Sequence, residues 1–211
     1  MIIAVDGPTA SGKGTIAKAL AARFGLPHLD TGLLYRAIGR QLFLSGGDPD
    51  DEAEALAATH FAEALLADPE LRSETSGGLA SRVSVHPAVR RALFDRQRAF
   101  ATQPGGAVLD GRDIGTVIAP DAEVKLFVTA AVEARADRRY REMQAAGRAV
   151  TMDDVLAELR ARDARDRSRT AAPLRAADDA LALDTSVLSA DHAVAEAIRL
   201  VEQRLGRAKP A

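Results

Sequence analysis

No cysteine, tryptophan or asparagine occurs among the 211 residues of this chain. Without cysteine there is no disulfide, no thiolate metal centre and no thiol nucleophile. Lysine is scarce: Lys13, Lys18, Lys125 and Lys209 are all there are, and arginine carries nearly all the positive charge. Any single arginine is therefore weak evidence, whereas a lysine at a particular motif position is informative. His28, His60, His86 and His192 are scattered without ligand-like spacing and read as packing or surface residues. No apolar run approaches the ~18 residues of a membrane span. No basic leader precedes the first apolar run, which argues against a signal peptide. A net charge of −2 does not suit a general nucleic-acid binder. The expectation is a soluble cytoplasmic protein, a monomer, with neither nucleic acid nor membrane as partner.

What is present is an ordinary globular balance, 47% hydrophobic and 27% charged, on a chain long enough for a sizeable core. Ile2 to Val5 is a short β-branched run that reads as a buried parallel strand. Glycines follow, then Ile16, Ala19, Leu20 and Phe24 at helical spacing, with Gly25 where a C-cap glycine belongs. Further short strands are expected at Leu26–Leu29, Ala107–Leu109, Val124–Val128 and Leu181–Leu183. Helices are expected from Gly32 to Leu44, from Glu52 to Leu66, from Pro87, after a Thr129 cap, from a Thr151 capping box with Asp154, and after a Ser189 cap. The stretch "ADPELRSETSGGL" reads as a loop or irregular element. Short buried strands alternating with helices imply an α/β fold with a parallel sheet. Two stretches without strand signal, 31–101 and 140–169, read as helical insertions over the strand ends, where ligands bind in such folds.

The stretch "VDGPTASGKGT" carries the first chemical signal. Gly7 through Lys13 fits the G-x-x-x-x-G-K phosphate loop and lies between a strand and a helix, the context that motif needs. Gly7, Pro8, Thr9, Ala10, Ser11, Gly12, Lys13, Gly14 and Thr15 would cradle the phosphates of ATP, with backbone N–H groups and the helix N-terminus supplying positive potential. The hydroxyl expected directly after the lysine arrives one residue late, at Thr15, the nearest candidate for Mg²⁺. A GTP switch is improbable: its base-recognition element needs asparagine, and the chain has none. In "LDTGLLYR", Arg36 is suited to grip an acceptor phosphate, although packing for Tyr35 and a surface role for Arg36 are equally open on spacing alone. In "VLDGRDIGTV", a buried strand ends in Asp110, Arg112 and Asp113, and three charges at such a place need a reason. One carboxylate is suited to lie near Mg²⁺, and Arg112 to meet a phosphate or base. In "RARDARDRSR", Arg162, Asp166 and Arg169 share one helical face. Taken alone, that run reads more simply as a solvated, salt-bridged helix.

Together, "GPTASGKGT", "DTGLLYR", "LDGRDIGTVIAPDAEVKLF", "RDARDRSRTAAPL" and "ALALDTS" resemble the bacterial cytidylate kinases, nucleoside monophosphate kinases of the P-loop class, from Ile2 to about Leu205. The resemblance implies a P-loop kinase fold with a five-stranded parallel sheet. It implies a core of 1–30, 102–139 and 170–211, a monophosphate-binding insertion of 31–101, and an Arg-rich lid of 140–169. It implies phosphorylation of CMP and dCMP by Mg·ATP, with Lys13, Arg112, Arg162 and Arg169 acting on the phosphates. Thr31, Tyr35 and Arg36 match positions that handle the CMP phosphate, Ser81 and Arg90 those that read cytosine, and Arg112 and Asp113 further CMP-binding positions. Arg162, Asp166 and Arg169 match lid residues that touch ribose and phosphates. Thr15 and, through water, Asp110 would hold Mg²⁺. The stretch between Ala55 and Ser81 departs from many bacterial members in being shorter, without a β-hairpin, and glycine-rich at "SETSGG". Thr31 replaces a commoner serine. Another small P-loop kinase with a different acceptor, or a non-catalytic ATP-binding module, are the competing readings.

Overall fold

The computed structural model describes residues 1–206; Lys209 and the rest of 207–211 lie outside the described residues. Five parallel strands form one sheet in the order β2-β3-β1-β4-β5. They are β1 (Ile2–Asp6), β2 (His28–Asp30), β3 (Ala107–Gly111), β4 (Val124–Thr129) and β5 (Leu181–Asp184). The two-residue alternation of β1 sends Ile3 and Val5 to one face and Ile2 and Ala4 to the other. Ile3 and Val5 pack with Ile16 and Leu20 of helix α1 (Lys13–Phe24) and with Val201 of the last helix, α8 (Ala190–Arg204). Ile2 and Ala4 pack with Leu109, Ile114 and Ala101. A strand covered on both faces is largely apolar; all five residues of β1 are buried, and Asp6 at its end is satisfied by two backbone N–H groups.

Between β2 and β3 the chain makes α2 (Thr31–Ser45), α3 (Glu52–Ala57), α4 (Glu74–Val83) and α5 (Pro87–Ala101). These helices share their own core, built on Leu34, Ile38, Leu42, Val83 and Leu93. After β4, α6 (Val132–Ala145) and α7 (Met152–Ser168) form a helical pair around Ala136, Met143, Val155 and Leu159. Gly147, in the left-handed region at φ 71, turns the chain between them. Thr151 and Asp154 form the expected capping box, and Ser189 caps α8 through the His192 N–H.

Three local expectations are corrected. The helix expected over 52–66 stops at Ala57, and 3₁₀ turns continue the chain. Phe61 turns extended at φ −65, ψ 151 and buries its ring in the insertion core, so packing overrides alanine-rich propensity. The "ETSGG" stretch, expected to be irregular, is helical: Ser73 caps α4 by accepting from the Ser76 N–H. Its glycines lower helix propensity but permit close approach, for a Cβ on Gly77 would lie 3.2 Å from an Arg36 nitrogen and 3.3 Å from one of Arg162. Thr129 does not cap α6. Ala131 occupies the N-cap, and its N–H donates to Ser186 Oγ at 2.8 Å.

Gly39 of α2 touches α4 so closely that a Cβ there would sit 2.6 Å from Leu79 Cβ, whereas Gly78 faces open space. Gly39→Val should therefore destabilise by about 1–3 kcal/mol through overpacking. Gly78→Ala should stabilise by about 0.5–1 kcal/mol through helix propensity. Urea unfolding of the two variants, compared with the parent, reads both signs.

Candidate active site

The phosphate loop leaves β1 at its C-terminal end and runs directly into α1. Gly7 is required there because a Cβ would lie 2.0 Å from the Val128 carbonyl oxygen. Gly12, at φ 87, supplies the left-handed residue that starts α1, and Ala10 adopts φ 61 without being glycine. Lys13 opens α1 and faces a cavity of about 230 Å³ together with Thr9, Gly14, Arg36, Arg112 and Arg162. Burial, and then the neighbouring Arg112, bring the Lys13 ammonium down from 10.5 to about 8. Thr15 is exposed and borders a second cavity, of about 420 Å³, lined by Ser11, Gly12, Arg138, Thr185 and Leu188.

The "DGRD" stretch separates its charges. Asp110 ends β3 beside Asp30 of β2. Its Oδ1 meets His28 Nε2 at 2.7 Å, and its backbone oxygen accepts from Thr31 Oγ1 at 2.9 Å. Arg112 turns the other way: Nε donates to Asp166 Oδ2 at 2.7 Å, and Nη2 to Thr9 Oγ1 at 2.5 Å. It thereby joins the phosphate loop to α7. Burial alone would lower the Arg112 guanidinium, but Asp166 reverses that and holds it above its ordinary value. Burial would likewise raise Asp166, and Arg112 holds it below the usual carboxylate range. Asp113 is paired with Arg90, whose guanidinium lies 5.6 Å over the Tyr35 ring. Arg169 Nη2 approaches Asp113 at 3.9 Å.

Thr31, Tyr35, Ser81, Arg90, Asp113, Asp166 and Arg169 line a third cavity, of about 60 Å³. Arg36, Arg112 and Arg162 border both this cavity and the one that holds Lys13. The proposed acceptor residues and the phosphate loop thus meet at three arginines. Arg169 lies on the acceptor side only. One Arg36 nitrogen is occupied by the carbonyls of Leu71 at 2.7 Å and Ser73 at 2.9 Å. Arg162 Nε is buried without a hydrogen-bond partner, and burial beside Arg112 lowers its guanidinium to about 9.

Several site-forming residues escaped the sequence reading. Arg135, almost fully buried, donates to the Ala130 carbonyl at 3.0 Å, the Thr9 carbonyl at 3.1 Å and both oxygens of Asp163. It pins α6 and α7 to the phosphate loop. Arg138 donates to Thr185, whose hydroxyl donates in turn to the Ser11 carbonyl. Arg139 pairs with Glu74 of α4. The available signal was the spacing of Arg135, Arg138 and Arg139 on the first turns of the helix leaving β4, where three and four residues share a face.

Comparison with known proteins resolves the class. The family model described as cytidylate kinase matches residues 3–203. The chain belongs to the cytidylate kinase family. A cytidylate kinase of Xanthobacter autotrophicus is 56% identical over 205 residues, covering 97% of this chain and 98% of the relative. A cytidylate kinase of Caulobacter is 53% identical over 207 residues, covering 98% and 96%. The crystal structure of an uncharacterized protein from Eubacterium ventriosum superposes with a TM-score of 0.55 at 15% identity, covering 96% of this chain and 98% of that one. That likeness concerns the fold, the P-loop kinase sheet expected from the sequence. Among the described residues no helix is long and apolar enough to cross a membrane.

Because Lys13 titrates near 8 before any phosphate is bound, nucleotide binding to this cytidylate kinase family member should be linked to protons. A bound polyphosphate favours the ammonium and raises that value. Between about pH 8 and 9.5 binding should therefore take up a fraction of a proton, and ATP affinity should fall as pH rises through 8. Calorimetry in two buffers of different ionisation enthalpy measures the uptake, and Lys13→Met should reduce it to the part that Arg162, lowered to about 9 in the same cavity, contributes.

Proposed function

We propose that the chain transfers the γ-phosphoryl group of ATP to the 5′-phosphate of CMP and dCMP, with Lys13, Arg36, Arg112 and Arg162 around the transferring group. One observation carries the site assignment. Among the described residues Lys13, Arg36 and Arg162 make no direct ion pair, yet all three border one cavity of about 230 Å³, whose lining also includes Asp30, Glu74, Asp110, Glu142 and Glu158. Like charges held together and partly desolvated are costly unless an anion joins them. A cavity between a phosphate loop and a base-sized chamber is where two phosphates would meet.

Phosphoryl transfer requires alignment and charge neutralisation rather than covalent catalysis by the protein. The acceptor oxygen is already anionic at neutral pH, so no strong general base is needed. Lys13 grips the β- and γ-phosphates while Arg36 holds the acceptor phosphate. Arg162, without a partner on Nε, faces the charge that spreads over the equatorial oxygens. Arg112, fixed between Asp166 and Thr9, holds donor and acceptor sides in register. Arg169, Arg90, Asp113, Ser81 and Tyr35 enclose the base and sugar, and Thr31 braces the end of β3. Arg138, Thr185 and Leu188 form the wall for the donor nucleoside.

The donor set suits Mg²⁺ as a companion of the nucleotide. Among the described residues no group of three His, Cys, Asp or Glu side chains forms a metal site. Thr15 offers a hydroxyl at the mouth of the loop, and Asp110 Oδ2 would lie 3.8 Å from a Cβ on Gly14. Hard oxygen ligands from one carboxylate, one hydroxyl and substrate phosphates match this ion's habits. Thr15 and, through water, Asp110 would hold it, and when bound it supplies charge neutralisation on the donor phosphates. Both substrate chambers are built from a single chain, so we take a monomer as the functional unit and the cytoplasm as its place.

ADP release measured with CMP, dCMP, UMP, AMP and shikimate tests the assignment. CMP and dCMP should exceed the others at least tenfold in kcat/KM, and equal use of UMP or AMP would overturn the acceptor assignment. Lys13→Met and Arg162→Met should each lower kcat by about 10²–10³, the usual cost of removing a group that stabilises transition-state charge.

A further inference from the structure

We propose that His28 is a positioning residue that aims the Asp110 carboxylate at the donor phosphates and their cation, a role that rests on the kinase reading above. His28 and Asp30 lie two apart on β2 and so project to the same face. In register, Asp30 stands beside Asp110 and His28 beside Val108, two residues before Asp110 on the same face of β3. His28 therefore reaches diagonally forward across the strand pair to Asp110.

The contact is short and sheltered. Nε2 lies 2.7 Å from Oδ1, and the two side chains are 16% and 4% exposed. The Asp110 main chain is already fixed by the Thr31 hydroxyl on its carbonyl. Only the side-chain torsions remain free, and the imidazole N–H on Oδ1 settles them. Oδ2 is then left facing Gly14, in the cavity that also contains Lys13.

Two physical consequences follow. Asp30 and Asp110 are adjacent carboxylates, and a donor committed to one reduces their mutual repulsion. Asp110 is also close enough to Lys13 to favour its charged form. Without the imidazole, Asp110 is free to turn onto the ammonium, which takes both groups away from the nucleotide. A group that orients a cation ligand from behind in this way typically changes metal affinity 10- to 100-fold when removed.

His28→Leu removes the donor at similar volume, and His28→Gln keeps an N–H within reach. Binding of Mn²⁺ to the ADP-loaded protein, read from the free-ion electron paramagnetic resonance signal, reports the cation without turnover. His28→Leu should weaken Mn²⁺ about tenfold and raise the half-saturating Mg²⁺ for turnover in proportion, with KM for CMP unchanged. His28→Gln should return both to within about threefold of the parent. Combining His28→Leu with Asp110→Asn should weaken Mn²⁺ no further than Asp110→Asn alone. Unchanged Mn²⁺ binding in His28→Leu, or a His28→Gln variant equally impaired, overturns the proposal. Should His28→Leu fail to fold, the comparison of His28→Gln with Asp110→Asn decides alone: weakening by Gln equal to that by Asn counts against it, and near-parental binding by Gln supports it. A parent protein that binds Mn²⁺ with ADP but does not use CMP would overturn the acceptor assignment and leave this proposal standing.

Discussion

Charges of both signs packed around one cavity govern this molecule. Lys13, Arg36, Arg112 and Arg162 come from four different elements, the start of α1, α2, the turn after β3, and α7, and converge on one cavity. Carboxylates share that lining, namely Asp30, Glu74, Asp110, Glu142 and Glu158. Among the described residues only Arg112 of the four cations is held in a direct ion pair, with Asp166, while Asp110 and Asp30 favour the charged form of Lys13 from farther off. Burial first, and Arg112 second, lower both Lys13 and Arg162.

Holding such a cluster requires rigid surroundings, which explains the buried ion pairs close by. Arg135 with Asp163, and Arg90 with Asp113, are pairs of buried groups that flank the cavity. Such pairs contribute little net stability compared with apolar packing, but they fix geometry. Arg135 is the stronger case, because it also donates to backbone carbonyls of the phosphate loop and of the segment that precedes α6. Asp6 works similarly within the core: its carboxylate accepts from the Ile114 and Gly115 N–H groups at 2.8 Å each. Burial raises it to about 7, and its two backbone donors keep the turn after β3 against the strand that launches the phosphate loop.

The sheet and the phosphate loop were legible because both depend on local rules. An apolar β-branched run followed by a Gly-Lys loop and a 3.6-period helix leaves little freedom, and β1 and α1 fall where expected. The α4 region was illegible because its helix owes more to what packs on it than to propensity. Gly77 lowers the tendency to form a helix, yet its missing side chain admits Arg36 and Arg162. The residues around the acceptor chamber were reached through family resemblance, since no spacing rule brings Ser81, Arg90 and Asp113 together across α4, α5 and the turn after β3. Arg135 and His28 were passed over for a different reason: their importance lies in partners remote in sequence, Asp163 and Asp110, and one buried arginine looks like any other in so arginine-rich a chain.

The charge balance also says what α7 contributes. Helix α7 brings Asp163, Asp166 and Arg162 to the site. Asp163 is matched by Arg135 of α6, and Asp166 by Arg112 of the core. Arg162 is the surplus, delivered beside Arg36 and a phosphate loop that is already positive. Helix α7 therefore brings to the cavity a guanidinium without a direct ion pair, which Asp166 and Glu158 on the same helix compensate only in part.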